Sequence, residues 1–248
     1  MKIYILGSGN MGTAMAYGLK NSGFDVVIVC RDKTKLLNLK EAGFGLEIYG
    51  DSYDIDGKNI ILAVKPYALQ NVSNLLKGDA KVCISVLART GLEALKSSIK
   101  SKNYAICLPN IAAKHGSSIT PFMSDGDTFL ITQILNGFGS SVKLETKNEL
   151  DAASVLAGCA PAYLAIVAEA LSNAGVLEGL KKDDANSLVS GLFDGFSKLL
   201  ANSHPALIKE AVCSPGGTTI EGVAKLEKYA IRNAFFEAVK ASTKKQRS

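Results

Sequence analysis

The apolar residues of this chain change rhythm near residue 146. Before that point, short and nearly unbroken apolar runs recur at Lys2 to Leu6, Asp25 to Cys30, Asn59 to Val64, Lys81 to Val86 and Tyr104 to Leu108. Runs of this kind belong to strands buried on both faces, as in a parallel sheet. Between them lie helix-like stretches, through Ala14, Met15, Tyr17, Gly18 and Leu19, and around Ala68 to Leu76. A helix from Thr128 to Phe138 and a strand from Ser141 to Glu145 complete the series. Alternating strands and helices predict an α/β fold, a Rossmann-type, doubly wound and mostly parallel sheet.

After Glu145 the glycine turns and β-branched runs give way to alanine- and leucine-rich helical pattern. A boundary at 147/148 divides a sheet domain, 1–147, from an all-helical domain, 148–248. Residues 149 to 174 are mostly small and apolar, too uniformly so for a helix with one wet face, and Gly158 and Pro161 should bend that helix. Further helices are expected at Asp183 to Ala201, with Leu188, Leu192, Phe193, Phe196, Leu199 and Leu200, and then at Pro205 to Val212, Thr218 to Lys228 and Tyr229 to Thr243. Helices this apolar have too little polar surface to face water. They predict burial against a second copy, as a homodimer or higher oligomer, with a self-contained bundle as the competing arrangement.

Composition narrows the class. With 248 residues, 47% hydrophobic and 21% charged, the chain can bury a sizeable core. No uninterrupted apolar run reaches the roughly 18 to 20 residues a bilayer requires, and the N-terminus enters a strand directly, so a cytoplasmic protein without a membrane partner is expected. The five cysteines (Cys30, Cys83, Cys107, Cys159, Cys213) are scattered without a CxxC pair, and His115 and His204 stand in unlike contexts. Neither a disulfide framework nor a metal site is indicated, and no serine–histidine–acid arrangement. The net charge of +5 would help attract an anion without implying nucleic acid. Its densest basic run, Lys244-Lys245-Gln246-Arg247, reads as a frayed end.

Two stretches carry candidate chemistry. Gly7-Ser8-Gly9-Asn10-Met11-Gly12 follows the first strand and opens a helix, the context in which GxGxxG binds a dinucleotide. Gly7 would permit the turn, Gly9 the approach of a pyrophosphate, and Gly12 close packing of helix on strand. At the end of the next strand, where an acidic residue would bind the ribose of NAD, Cys30 is followed by Arg31, with Lys33 and Lys35 nearby. A guanidinium there suits the 2′-phosphate of NADPH, whereas Asp32 leaves NADH possible. Alternatively, this segment is the wet first turn of a helix that buries Leu36, Leu37 and Leu39. The strand ends at Lys65-Pro66 and Pro109-Asn110 should edge the cofactor, Asn110 offering a hydrogen bond to a ribose or carboxamide.

The second stretch is Ser214-Pro215-Gly216-Gly217-Thr218-Thr219-Ile220-Glu221. Pro215 and the glycines allow a sharp turn before a helix whose first amides, near Thr218 and Thr219, could hold a carboxylate or phosphate. Alternatively, it is a helix start with a capping box between Thr218 and Glu221.

These motifs closely resemble the pyrroline-5-carboxylate reductase family, and the resemblance spans essentially the whole chain. It rests on the Gly7 to Gly12 turn, Ala63-Val64-Lys65-Pro66, Pro109-Asn110, Pro161-Ala162-Tyr163 and, most specifically, Ser214 to Ile220. It implies that Gly7, Ser8, Gly9, Asn10, Met11, Gly12, Ala63, Val64, Lys65 and Pro66 bind NADP(H). It further implies that Ser214, Gly216, Gly217, Thr218 and Thr219 seat the small-molecule substrate's carboxylate, that Thr219 bonds its ring nitrogen, and that the helical domains dimerise. The implied reaction is hydride transfer from NADPH to the C=N bond of 1-pyrroline-5-carboxylate, giving L-proline. Leu87-Ala88-Arg89 stands where the family reads Ala-Ala-Gly, Ile111-Ala112 where it reads Thr-Pro, and Ala157, Cys159 and Ala160 replace Ser, Ser and Gly. A related imine or keto-acid reductase, or a non-catalytic dinucleotide-binding paralogue, would also fit such departures.

Overall fold

The computed structural model describes residues 1–31 and 37–247; Asp32, Lys33, Lys35 and Leu36 lie outside them. The chain forms two compact units, Met1–Gly158 joined by the chain end from Gln246, and Cys159–Lys245.

The first unit runs β1 (Lys2–Leu6), α1 (Asn10–Asn21), β2 (Asp25–Cys30), α2 (Leu37–Glu41), β3 (Gly45–Ile48), β4 (Tyr53–Asp54), β5 (Asn59–Leu62), α3 (Leu69–Ser73), β6 (Leu76–Lys77), β7 (Val82–Ser85), α4 (Leu92–Ser98), β8 (Tyr104–Cys107), β9 (Ser118–Asp125), α5 (Thr128–Leu135), β10 (Gly139–Lys143) and α6 (Lys147–Ser154). Eight strands form one sheet in the order β10-β9-β8-β7-β5-β1-β2-β3, and β4 pairs with β6 separately. Every neighbouring pair in the large sheet is parallel except β8 with β9.

The alternation of side chains along the strands builds two cores. One face carries Ile3, Ile5, Ile28, Ile61 and Ile84 against Met15 and Leu19 of α1 and Ile131 of α5. The other carries Leu6, Val29, Ile60 and Leu62 against Val72, Leu95 and Leu150 of α3, α4 and α6. Burying each such aliphatic side chain contributes about 1.5–3 kcal/mol, so the sheet is fixed from both sides.

Several sequence expectations need correction. The helix expected around Ala68 to Leu76 is shorter, because Leu76 pairs with Tyr53 in the small sheet. Strands β3 and β9 and the β4–β6 pair were not anticipated. Pro121, which reads as a strand breaker, lies within β9, where its carbonyl accepts from the Leu108 amide. The basic tail is not simply frayed: α11 (Ile231–Arg247) continues into it, and the Arg247 guanidinium donates to the Asn148 carbonyl at 3.3 Å.

Helix α6 starts at Lys147 behind a capping box. The Thr146 hydroxyl accepts from the Glu149 amide, and the Glu149 carboxylate accepts from the Thr146 amide at 2.8 Å. Hydrogen bonds from the Thr146 hydroxyl and then its amide hold Glu149 below the usual carboxylate range. At Gly158, where a bend was expected, the chain forms a π-helical turn, Val155–Cys159, before α7. The α6–α7 stretch Lys147–Leu177 is long and apolar enough to cross a membrane by length and composition alone, which corrects the stricter count made from uninterrupted apolar runs.

In the second unit, α7 (Ala160–Leu177) and α8 (Lys182–Asn202) pack together, followed by α9 (Pro205–Val212), α10 (Thr218–Lys228) and α11. The buried Ser172 hydroxyl donates to Asn186 at 2.6 Å and accepts from Lys182 at 3.1 Å, tying α7 to α8. Tyr163 on α7 shares a hydrogen bond with Ser242 on α11.

Candidate active site

The glycine turn lies where the sheet reverses direction. β1 is paired with β2 on one side and with β5 on the other. Beyond its end, the Gly7 amide donates to the Val29 carbonyl and the Ala63 amide to the Leu6 carbonyl, each at 2.9 Å. Ligands of doubly wound sheets bind at this crevice.

Each glycine of the turn has a separate steric reason. Gly7 has φ +123°, and a Cβ there would stand 2.6 Å from the Ala63 carbonyl oxygen. A Cβ on Gly12 would stand 2.2 Å from the Gly7 oxygen, so helix and turn touch through bare backbone. At Gly9 a Cβ would meet nothing within 4 Å, leaving open space over the turn. Gly9 is also the N-cap of α1, without a capping side chain or an acidic residue in the first turn. The first amides of α1 therefore lack intrahelical partners, a cradle that suits a pyrophosphate.

The other predicted cofactor residues surround this turn unevenly. Ala63 and Val64 are half-buried at the end of β5, while Lys65 and Pro66 are exposed. Arg31 is exposed at the end of β2. Asn110 is only 8% exposed. Its side-chain amide donates to the Ala157 carbonyl at 2.9 Å, and its side-chain oxygen accepts from the Ala112 amide at 3.0 Å. The amide end thus joins the loop after β8 to the π-helical turn, and the oxygen end closes a turn within that loop.

Beside β7 and β8 stand Arg89, noted above as a departure from the family pattern, and Lys147 and Asp151, which no motif singles out. Arg89 has φ +63°, a left-handed conformation that glycine adopts freely and an arginine does not. It lines a hollow with Leu87, Thr90, Leu108, Lys147 and Asp151. Asp151 is 5% exposed, and the Lys147 ammonium reaches both its oxygens, at 2.9 and 3.2 Å. A lysine and an aspartate four apart on a helix were the available signal.

The second candidate stretch lies in the second unit, between α9 and α10. The Gly217 amide donates to the Ser214 carbonyl at 3.0 Å, and Gly216 takes φ +67°. A Cβ on Gly217 would stand 2.3 Å from the Ser214 hydroxyl oxygen. The N-cap of α10 is Gly217, with no capping side chain, so Thr218 lies inside the helix and the Thr218–Glu221 capping box is absent. Among the described residues, the Thr218 and Thr219 hydroxyls have no hydrogen-bond partner within the chain, and both residues are exposed. The turn thus offers uncapped helix amides and available hydroxyls together. No cluster of metal-binding side chains occurs among the described residues, and the His204 imidazole caps α9 through the Ala206 amide.

An uncapped glycine turn at the switch point of a mostly parallel sheet, followed by an all-helical half, defines a dinucleotide-dependent oxidoreductase of two-unit design. Family models refine this: residues 147–248 match pyrroline-5-carboxylate reductase dimerisation, and residues 2–89 match NADP oxidoreductase, coenzyme F420-dependent. The pyrroline-5-carboxylate reductase of Helicobacter pylori is 36% identical, the match covering 99% of this chain and 98% of that protein. Among solved structures, the 1-pyrroline-5-carboxylate reductase of Streptococcus pyogenes matches with a TM-score of 0.82 at 26% identity, covering 99% and 98% of the two chains. The Plasmodium falciparum pyrroline carboxylate reductase, solved with NADP bound, shares the fold with a TM-score of 0.80 at 24% identity, covering 99% and 98%. The chain belongs to the pyrroline-5-carboxylate reductase family.

Proposed function

We propose that this chain reduces 1-pyrroline-5-carboxylate to L-proline, using NADPH and working as a dimer or larger assembly of itself. The observation that carries the reading is the Ser214–Thr219 turn, whose uncapped amides and available hydroxyls suit a small carboxylate. The full-length kinship supports it. No nucleic acid or membrane takes part in the scheme.

When bound, NADPH supplies the hydride. The protein's task is to hold donor and acceptor in register, which accounts for a site of turns and amides without a strong acid or base. In the first unit, Gly7, Ser8, Gly9, Asn10, Met11 and Gly12 hold the pyrophosphate, Arg31 meets the 2′-phosphate, and Ala63, Val64, Lys65 and Pro66 border the cofactor. Asn110 contributes by fixing the neighbouring loop. In the second unit, the turn of Ser214, Gly216, Gly217 and Thr218 takes the substrate carboxylate. Thr219 directs its hydroxyl to the ring nitrogen, orienting it rather than protonating it, since a cyclic imine can gain its proton from solvent.

The test follows NADPH absorbance with 1-pyrroline-5-carboxylate, run beside NADH and beside a six-membered cyclic imine. Fast oxidation of NADPH confined to the five-membered ring is expected. A preference for the larger ring would shift the substrate, and NADPH binding without any turnover would end the reading.

A further inference from the structure

The NADPH assignment places weight on Arg31, a long side chain at an exposed strand end. Something has to hold its guanidinium in place. β2 and β3 are parallel neighbours with Cys30 opposite Ile48, so the next residues, Arg31 and Tyr49, leave their strands side by side at the carboxyl edge of the sheet. Their surroundings differ. Arg31 is exposed, whereas Tyr49 is 6% exposed and packs in the core with Val27, Val29 and Tyr53. Burial pushes the Tyr49 hydroxyl up from its ordinary range, and the Arg31 guanidinium beside it pulls partly back, both as a charge and as a hydrogen-bond donor. The register thus sets a ring fixed in the core beside the residue that carries the guanidinium.

We propose that Tyr49 is a positioning residue for the cofactor, its buried ring holding the Arg31 guanidinium at the edge of β2 where that group meets the 2′-phosphate distinguishing NADPH from NADH. The proposal rests on the NADPH reading above. An arginine free to sample many rotamers loses that freedom on gripping a phosphate; one already braced loses less, so the brace adds affinity for the phosphorylated cofactor alone. Loss of the hydroxyl should therefore be felt by NADPH and ignored by NADH.

The experiment measures binding of NADPH and NADH by fluorescence to the full-length protein, in wild type, Y49F, R31A and the double variant. R31A is expected to weaken NADPH by about thirtyfold or more, with NADH nearly unchanged. Y49F keeps the ring and should weaken NADPH by about three- to tenfold, with NADH unchanged. In the R31A background, Y49F should add nothing, because the group it braces is gone. Partial loss of folded protein would lower both cofactors alike, so the NADPH/NADH ratio is the readout. If Y49F leaves that ratio unchanged, or if its effect on the ratio persists in R31A protein, Tyr49 is a packing residue and the proposal fails while the NADPH reading stands. An equal loss of both cofactors in R31A would overturn the 2′-phosphate assignment itself, and the role of Tyr49 with it.

Discussion

The two units of this chain solve the problem of apolar side chains in opposite ways. In the first, the sheet buries its aliphatic residues on both faces under its own helices, and its core is complete within one chain. In the second, Ala185 is the only fully buried hydrophobic residue among those described. Leu164, Ile166, Leu188, Leu192, Phe196 and Leu199 all remain exposed. The difference teaches where each unit draws its stability. The first is held by intrachain burial, and the second leaves apolar faces open to self-association, in keeping with the dimerisation family it matches.

That contrast can be broken most forcefully on α8. Leu192→Asp places a charge on an apolar face that needs a partner, and is expected to weaken self-association by more than about a hundredfold, read as monomer by light scattering. An unchanged oligomer would remove that face from the interface. In the first unit the vulnerable point is backbone contact. Gly12→Ala drives a Cβ into the Gly7 carbonyl and should cost about 2–3 kcal/mol in a melting experiment. Gly9→Ala, which meets nothing, should leave the melting temperature alone and lower NADPH affinity. A fourth change sharpens the comparison at the proposed substrate turn: Thr219→Ala should cut turnover about tenfold while NADPH affinity and assembly hold. Unaltered turnover would remove Thr219 from the site. The smallest effect is expected from Arg89→Gly. Relief of the left-handed backbone should stabilise the first unit by up to about 1 kcal/mol, set against the extra freedom of glycine in the unfolded chain. A lower melting temperature would show that the arginine's contacts outweigh its strain.

The strands β1, β2, β5, β7 and β8 and the helices after Lys147 were legible because they rest on strong local signals: apolar runs, a glycine turn directly after a strand, and leucines at helical spacing. The elements that escaped are those whose partners lie far away in sequence. β9 contains Pro121 and is held by β8 and β10; nothing within Ser118–Asp125 announces them. β4 and β6 are two residues each, too short for any pattern. At the sites, the glycines could be placed because their roles are steric. Asn110 was singled out for a hydrogen bond to the cofactor, whereas its side chain is bonded within the chain; the bond to Ala157 spans 47 residues of sequence and could not be read from either end. Tyr49 follows β3, a strand with no pattern of its own, so nothing near it in sequence marks it.

Both proposed anion seats consist mainly of peptide groups and hydroxyls. None of these gains or loses a proton in the range where proteins stay folded. A site built on lysine, histidine or a carboxylate changes character as the medium acidifies or turns alkaline; the turns at Gly9 and Gly217 do not. Attachment of cofactor and substrate should therefore be nearly indifferent to acidity, apart from the ligands' own ionisation. The enzyme can keep its grip through metabolic swings that would loosen a charge-based pocket.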